Sequence, residues 1–574
     1  MILTALYALY QRRMADPDPL RRLPIYGFEE KGIPYILDID QNGTLINLRS
    51  TLSSDKKPVA QQFLVPQGVK KTSGVAANLL WDNLEYVLGI DTRGKPERVI
   101  EQHAAFRARI RALPEAAQQD AGIIAVNRFL DQFTPEQVTS HPEWEQIFAA
   151  NPLMTFQLHG DLDLICQRAA VADGSAALTS DDAGDVQGIC LITGEPGPIE
   201  RLHTVIKGVW GAQSSGANIV SFNADAYCSF GNNGKQGANA PVSKKAVFGY
   251  TTALNALLEK GSGQRAQVGD TSTVFWAEKP HDLETAIPDA FGEPPKDRPE
   301  AGAEAVGRIL KWIDSGKAAT VEGETRFYVL GLAPNAARIS VRVWETWPLR
   351  DIAKRTLQHF ADLKIARAPF DPEYPSLFRL LAACAAQGKA DRIPPSMGGD
   401  VLRSALNGTP YPATFFAAAL ARCRAEQDVN YSRAAILKAC LIRSTGKEIP
   451  VMLDRRNQSP GYHLGALFAV LERLQKEAIN PNTSIRDRFF GAAMTSPVMV
   501  FTTLMRLHHH HLSKLKKSAK TIGIGIWLDK LVDEVMQEIP SFPKQLTLEE
   551  QGKFAIGYYH QRHEFFTKNT SNAE

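Results

Sequence analysis

A chain of 574 residues exceeds what one hydrophobic core organises, so several domains are expected. With 44% apolar and 22% charged residues, the composition excludes a fibrous or mainly disordered chain. A net charge of +3 and a pI near 8.4 exclude a nucleic-acid argument from total charge, and only local clustering can carry one.

The chain opens with MILTALYALYQRRM, an apolar stretch too short to span a bilayer. Its Arg12 and Arg13 follow the stretch, whereas a signal peptide's charges precede it, so a packed first helix is expected. No later apolar run reaches membrane length. IPYILDID, the turn Gln41-Asn42-Gly43 and TLINL predict a β-hairpin. Residues 96–150 take helical spacing, with Ile100, Ala104, Phe106 and Ile110 read as one buried side and a second helix near 123–133.

Between Gln187 and Phe275, glycine, serine and asparagine surround short β-prone pieces: GICLIT, ANIVSF and STVFWAE. Long irregular loops on a sheet scaffold are where binding function concentrates. Residues 280–302 read as an exposed Pro-rich excursion. FYVLGLAP and ARISVRVWETW predict a hairpin turning at Pro334-Asn335. Helical periodicity follows at 377–387, 399–406, 412–426 and 432–443, and then in three or four long helices over 461–566. Tyr462, Leu464, Phe468, Leu471 and Leu474 form one stripe, Val498, Phe501, Leu504 or Met505, and Leu512 another, and Thr547-Leu-Glu-Glu550 reads as a capping box. The expected fold class is α+β: a mixed region with long loops (1–348), a helical connecting region (349–450) and a C-terminal helical bundle (451–574).

Three segments bear functional chemistry. In residues 206–250, small residues allow close backbone approach. Gln213, Asn218, Asn223, Asn232, Asn233, Gln236 and Asn239, with Ser214, can read base edges, and Lys207, Lys235, Lys244 and Lys245 can hold phosphates. The same composition fits a glycine-rich loop whose polar side chains satisfy their own backbone. Lys70, Lys71, Thr72 and Ser73 form a basic, hydroxyl-bearing loop suited to a DNA groove, or simply a solvated turn. In the bundle, Arg455, Arg456, Arg473, Lys476, Arg486, Arg488, Arg506, Lys514, Lys516, Lys517 and Lys520 outnumber Asp454, Glu472, Glu477 and Asp487, a local excess able to hold a single strand. Among Phe222, Tyr227, Phe230, Phe248, Tyr250 and Trp276, most should be core, and one exposed in the loop would be free to stack on a base.

Other chemistries fail on spacing. Gly231-Asn-Asn-Gly-Lys235 is not a phosphate loop, since the positions needing glycine and Ser or Thr hold Ser229 and Gln236. The four consecutive histidines 508–511 point in different directions on a helix and cannot converge on one ion. His281-Asp282 lacks neighbouring ligands, His141-Pro-Glu143 lacks a downstream cysteine pair, and no Ser-His-Asp arrangement has a nucleophile elbow. The six cysteines, Cys166, Cys190, Cys228, Cys384, Cys423 and Cys440, make no C-x-x-C pair, as expected of a reducing cytoplasm. No catalytic residue, metal or cofactor is expected.

Leu79–Gly89 (LLWDNLEYVLG), Cys190–Asn223 (CLITGEPGPIERLH and IKGVWGAQSSGANIVSFN), Gly237–Ser243 (GANAPVS), Phe327–Arg342 (FYVLGLAPNAARISVR) and Gly461–Gln475 (GYHLGALFAVLERLQ) together resemble the large subunit of the type I-C CRISPR Cascade complex, the Cas-eight-c group. The resemblance implies a non-enzymatic subunit at the guide RNA's 5′ handle that recognises a protospacer-adjacent motif on double-stranded DNA. It implies help in opening the duplex, retention of the non-target strand, and partners among the backbone and 5′-handle-binding subunits, a small subunit and a helicase-nuclease. It also implies that the bundle can be made separately from an internal start, for which Met452 is the candidate. Motif reading is expected from the 70–73 and 207–239 residues named above, and strand retention from the bundle cations Arg455 to Lys517. A scaffold that binds protein or the guide's handle, with incidental DNA contacts, is the alternative.

Overall fold

The computed structural model describes residues 1–18, 21–54, 58–69, 74–180, 186–222, 224–229 and 236–570, without the side chains of 177, 179, 180 and 567–570. The fold is α+β, with small sheets in the N-terminal half and helices dominating the C-terminal half. The chain forms two compact units: residues 3–204 with 221–253, and residues 205–220 with 254–574. Residues 348 and 450 both lie inside the second.

The first unit contains β1 (Phe28–Gly32), β2 (Tyr35–Ile39), β3 (Leu45–Ser50), β4 (Gln62–Pro66), β5 (Trp81–Asn83), β6 (Leu153–Leu158), β7 (Gln187–Ile189) and β8 (Pro196–Pro198). A four-stranded sheet has the order β3-β2-β6-β5, and β1 with β4 and β7 with β8 make two-stranded ribbons. The expected hairpin is β2–β3, paired Tyr35 to Ser50 around Asp40, whose Oδ1 accepts from Asn42 and Thr44 N–H. Because β2 is also paired in parallel with β6, Ile36 and Leu37 are buried on opposite faces. Helix Pro96–Arg111 buries Val99, Gln102, Phe106 and Ile110, while Ile100 is 69% exposed and Ala104 faces solvent. At about 100° per residue, Ile100 lies well off the Phe106–Ile110 side, which corrects the expected face. ANIVSF forms no strand among the described residues.

In the second unit β9 (Arg265–Val268), β10 (Thr271–Ala277), β11 (Arg326–Asn335) and β12 (Arg338–Pro348) form an antiparallel sheet of order β12-β11-β10-β9. The β11–β12 hairpin turns at Ala336-Ala337 rather than Pro334-Asn335, with Ala336 at φ +53° and Asn335 paired to Arg338. Residues 280–302 are not one exposed excursion. Leu283, Ala286, Ile287, Ala290 and Phe291 recur at helical spacing and bury one side of helix Leu283–Phe291. Of the stretch's prolines, Pro294, Pro295 and Pro299 fall in 292–300, while Pro280 precedes the helix and Pro288 lies within it.

Helices Leu349–Leu363, Leu377–Cys384, Met397–Asn407, Ala413–Glu426 and Tyr431–Thr445 follow; the last four lie close to the spacing-derived ranges, and the first lies before them. Among the described residues the bundle has five helices, Pro460–Ile479, Ile485–Thr495, Pro497–Lys516, Ile522–Gln537 and Leu548–Thr570, rather than the three or four expected. Tyr462, Leu464, Phe468, Leu471 and Leu474 are all buried. One continuous core runs from Ala266 in β9 to Phe565 in the last helix. Thr547 Oγ1 accepts from Glu550 N–H at 3.3 Å, but the Glu550 carboxylate completes no box. It accepts from Ser459 Oγ at 2.6 Å and Gly461 N–H at 2.8 Å, capping the neighbouring helix Pro460–Ile479 instead.

Three buried histidines each meet a tyrosine hydroxyl through Nδ1: His203 with Tyr250 at 2.6 Å, His359 with Tyr411 at 2.6 Å and His560 with Tyr462 at 2.9 Å. Burial pushes their pKa values down to about 4, about 3 and about 3, with Arg443 adding to the shift at His359 and Lys438 at His560. Below the free value near 6.5 the unfolded chain binds protons that these rings refuse. Stability is therefore expected to fall as pH drops from about 6.5 towards 4, by up to about 1.4 kcal/mol per pH unit per ring. Urea unfolding at pH 7 and pH 5 checks this, and the difference should shrink when His359 is replaced by Phe.

Candidate nucleic-acid interface

The loop 207–216 of the second unit is closed by an antiparallel bridge between Ile206 and Ala217. Its base is tied down on two sides. Lys207 N–H donates to Asn255 Oδ1 at 2.8 Å, and Trp210 N–H donates to Ser272 Oγ at 3.0 Å. Glycine is required at both ends of the loop. At Gly208 (φ +82°) a Cβ would stand 2.8 Å from the Leu258 carbonyl oxygen, and at Gly216 (φ +99°) 2.9 Å from the Val205 side chain. This tethered frame leaves Lys207, Trp210, Gln213 and Ser214 exposed, Trp210 at 65%. Asn218 sits past the bridge, half-buried. Its N–H donates to Ala337 O and its carbonyl accepts from Ile339 N–H, so the segment leaving the loop is stitched to the β11–β12 turn.

In the first unit, Gln236 and Asn239 occupy a short 3-10 turn. Asn239 Nδ2 donates to Gln236 O at 3.0 Å, and Gln236 Oε1 accepts from Arg201 at 3.3 Å, so both amides have local partners. Lys70, Lys71, Thr72, Ser73, Asn223, Asn232, Asn233 and Lys235 lie outside the described residues, as does Phe230. The flanks of 70–73 are anchored: Val69 N–H donates to Asn78 Oδ1, and Asn78 N–H donates to the buried Asp82 carboxylate. Trp276 and Tyr250 are core, Phe248 packs edge-on against Tyr10 and Tyr26, Phe222 is half-buried, and Tyr227 is exposed. Trp210, the most exposed tryptophan, is absent from the aromatics that sequence reasoning singled out. Its neighbour Val209, between the same glycines Gly208 and Gly211, is buried, so the sequence there gives no sign which of the two apolar residues faces solvent.

The bundle cations fall into two groups. Arg455 pairs with Glu534 and Glu564, Arg473 with Glu477, Arg486 with Glu472 and Asp428, and Lys516 with Asp529. Arg456, Lys476, Arg488, Arg506, Lys514 and Lys517 are exposed and have no carboxylate partner among the described residues. Between Asp487 and Asp529 the sequence has no acidic residue but holds Arg488, Arg506, Lys514, Lys516, Lys517 and Lys520. On helix Pro497–Lys516 and the residue after it, Arg506, His510, Ser513 and Lys517 follow one another at spacings of four, three and four, which aligns them on one exposed side. His508 and His511 face inward, and burial lowers both pKa values. Among the described residues no three His, Cys, Asp or Glu side chains could hold a metal ion, and no helix is long and apolar enough to cross a membrane.

A profile of the CRISPR-associated protein family Cas_Csd1 matches residues 6–566. The chain belongs to this family. The match embraces both the tethered 207–216 loop and the acid-free basic helix, so both are parts of one Cas_Csd1 protein rather than of an appended domain. No curated protein matches the chain.

Proposed function

We propose that this Cas_Csd1 protein is the large subunit of an RNA-guided surveillance complex of the type I-C Cascade kind. In this role it recognises the protospacer-adjacent motif on duplex DNA, aids unwinding and R-loop formation, holds the non-target strand and helps recruit a helicase-nuclease. It catalyses nothing itself, since sequence choice passes to guide pairing. Its partners are the guide's 5′ handle, the backbone and handle-binding subunits and a small subunit, for which Met452 is the internal start.

The observation that carries this reading is that one CRISPR-associated chain holds two surfaces of different chemistry. The loop offers an amide (Gln213), a hydroxyl (Ser214), one cation (Lys207) and an exposed indole (Trp210), a set that reads base edges and stacks rather than merely attracting phosphate. Helix Pro497–Lys516 offers cations with no amide or carboxylate among them, a set that holds a backbone whatever its sequence. Duplex binding by the complex assembled with and without this subunit, on DNA carrying or lacking the motif, tests the assignment. Loss of motif discrimination on omission is expected. Discrimination that survives omission makes the subunit a scaffold.

A further inference from the structure

In the second unit a cleft of about 790 Å³ opens where β10 ends, walled by helix Ala301–Asp314 and the segment 317–325. Its cations are Lys279, Arg308, Lys311 and Lys317, and its carboxylates are Asp282 and Glu322. One of these cations is already paired, and one carboxylate is fixed in place with its charge retained. Arg308 donates to Asp289 at 2.8 Å. Glu322 Oε1 accepts from His281 Nε2 at 2.9 Å and from the buried Trp312 indole at 2.8 Å. His281 Nδ1 accepts from Leu283 N–H at 3.0 Å, so Nε2 carries the hydrogen that Glu322 receives and the carboxylate is fixed to the wall.

What remains is three exposed ammonium groups, Lys279, Lys311 and Lys317, brought to one cleft from three separate elements, against the exposed carboxylate of Asp282; none of the three lysines makes an ion pair among the described residues, and Lys317 acts on Glu322 only at longer range. Gathering like charges around a concave surface concentrates a positive potential, which a polyanion relieves. The cleft is too large for a lone inorganic phosphate and has the size of a small-molecule or oligomer site. Lysines act as point charges on flexible stems and suit phosphate oxygens. The indole that could stack is buried with its N–H committed, so the cleft offers no tryptophan face to a base, and it holds no Asn or Gln amide. A peptide is disfavoured because β10, the strand leading in, is paired on both sides by β9 and β11 and offers no free edge.

We propose that this cleft is a further nucleic-acid contact, in which Lys279, Lys311 and Lys317 grip the phosphodiester backbone of a single strand without regard to sequence. It is separate from the loop 207–216 and from helix Pro497–Lys516, and it stands whether or not the motif-reading assignment does.

The test uses the full chain with six-nucleotide oligomers of 4-thiouridine RNA and 4-thiothymidine DNA, photo-crosslinked and mapped by mass spectrometry. Adducts within 279–322 are expected with at least one oligomer, and which one identifies the strand as RNA or DNA. Changing all three lysines to alanine should reduce those adducts at least tenfold and lower the salt slope of binding by about 2, at about 0.7 per phosphate contact. The triple arginine variant should retain them. Because the three positions are exposed, an unchanged melting temperature is expected, and a triple glutamine variant repeats the measurement should alanine disturb folding. Absence of adducts in 279–322, their persistence in the charge-removed variants, or equal displacement by a glutamate peptide of matched charge overturns the proposal. Adducts at 207–214 and 506–517 report on the other two surfaces independently.

Discussion

Changing Gly465 to alanine is expected to cost about 3 kcal/mol or more, with the urea midpoint falling accordingly. Helices Pro460–Ile479 and Leu548–Thr570 approach so closely that a Cβ at Gly465 would lie 1.9 Å from the Phe554 carbonyl oxygen. The obstacle is backbone, which no rotamer change can clear, so the helices must part along their length. The same contact recurs at Gly461, 2.3 Å from Glu550 O, and at Gly557, 2.1 Å from Tyr462 O. Separation would also break the Glu550 cap on Ser459 and Gly461 and open the aromatic cluster of Phe468, Phe490, Phe554 and Tyr558. Alanine at the exposed Gly523, where a Cβ meets nothing within 4 Å, is the matched control and should be neutral or slightly stabilising. Equal midpoints for the two variants would show that the helices are not held in this contact.

The second large effect is expected from Asp362→Ala, at about 3–5 kcal/mol. Asp362 and Arg443 are both nearly inaccessible, at 3% and 6% side-chain exposure, and Arg443 Nε donates to Asp362 Oδ2 at 2.6 Å. The guanidinium also donates to the carbonyls of Ser404 and Thr409 and lies 4.3 Å from the Tyr411 ring, while Lys438 Nζ donates to Asp362 O. Removing the carboxylate strands the Arg443 guanidinium in a medium that cannot solvate it, while the Lys438 bond to the 362 carbonyl survives. Burial already lowers the Lys438 pKa, the direction expected where charge is disfavoured. Replacing the pair together, Asp362→Leu with Arg443→Met, should recover most of the loss, because it is the uncompensated charge that costs. Chemical unfolding of the single and double variants checks this, and a double variant no better than the single would refute it.

Much of this architecture could be read from the chain. The β2–β3 hairpin followed from β-prone runs on either side of turn residues, the β11–β12 hairpin from its runs although its turn falls two residues later, and the bundle from stripes such as Tyr462–Leu474, because local periodicity records which side is buried. Failures arose where one cue was allowed to override another. Prolines in 280–302 masked the apolar spacing of Leu283 to Phe291, and Ile100 was assigned inward because it is apolar although its angle from Phe106 places it outside. The bundle's cation count was correct as arithmetic, yet Arg455, Arg473, Arg486 and Lys516 meet acidic partners, some far away in sequence, such as Glu534 and Glu564 for Arg455. Pairing over such separations is invisible to local composition, whereas the acid-free run from Arg488 to Leu528 was visible throughout. Trp210 was passed over because tryptophan is ordinarily core, and only the tethering of Lys207 and Trp210 backbones to Asn255 and Ser272 explains how the loop holds it in solvent.

In the proposed division of labour the loop 207–216 reads and helix Pro497–Lys516 holds, and titration of the assembled complex with motif-bearing and motif-lacking duplexes at several salt concentrations, using two multiple variants, separates the two roles. Trp210→Ala with Gln213→Ala should narrow the gap between the two duplexes by about 1–3 kcal/mol and leave the salt slope unchanged. Arg506→Ala, Lys514→Ala and Lys517→Ala together should weaken both duplexes alike and flatten the slope by about 2. Two variants that behave identically, or a slope change in the loop variant with none in the helix variant, would contradict the division of labour.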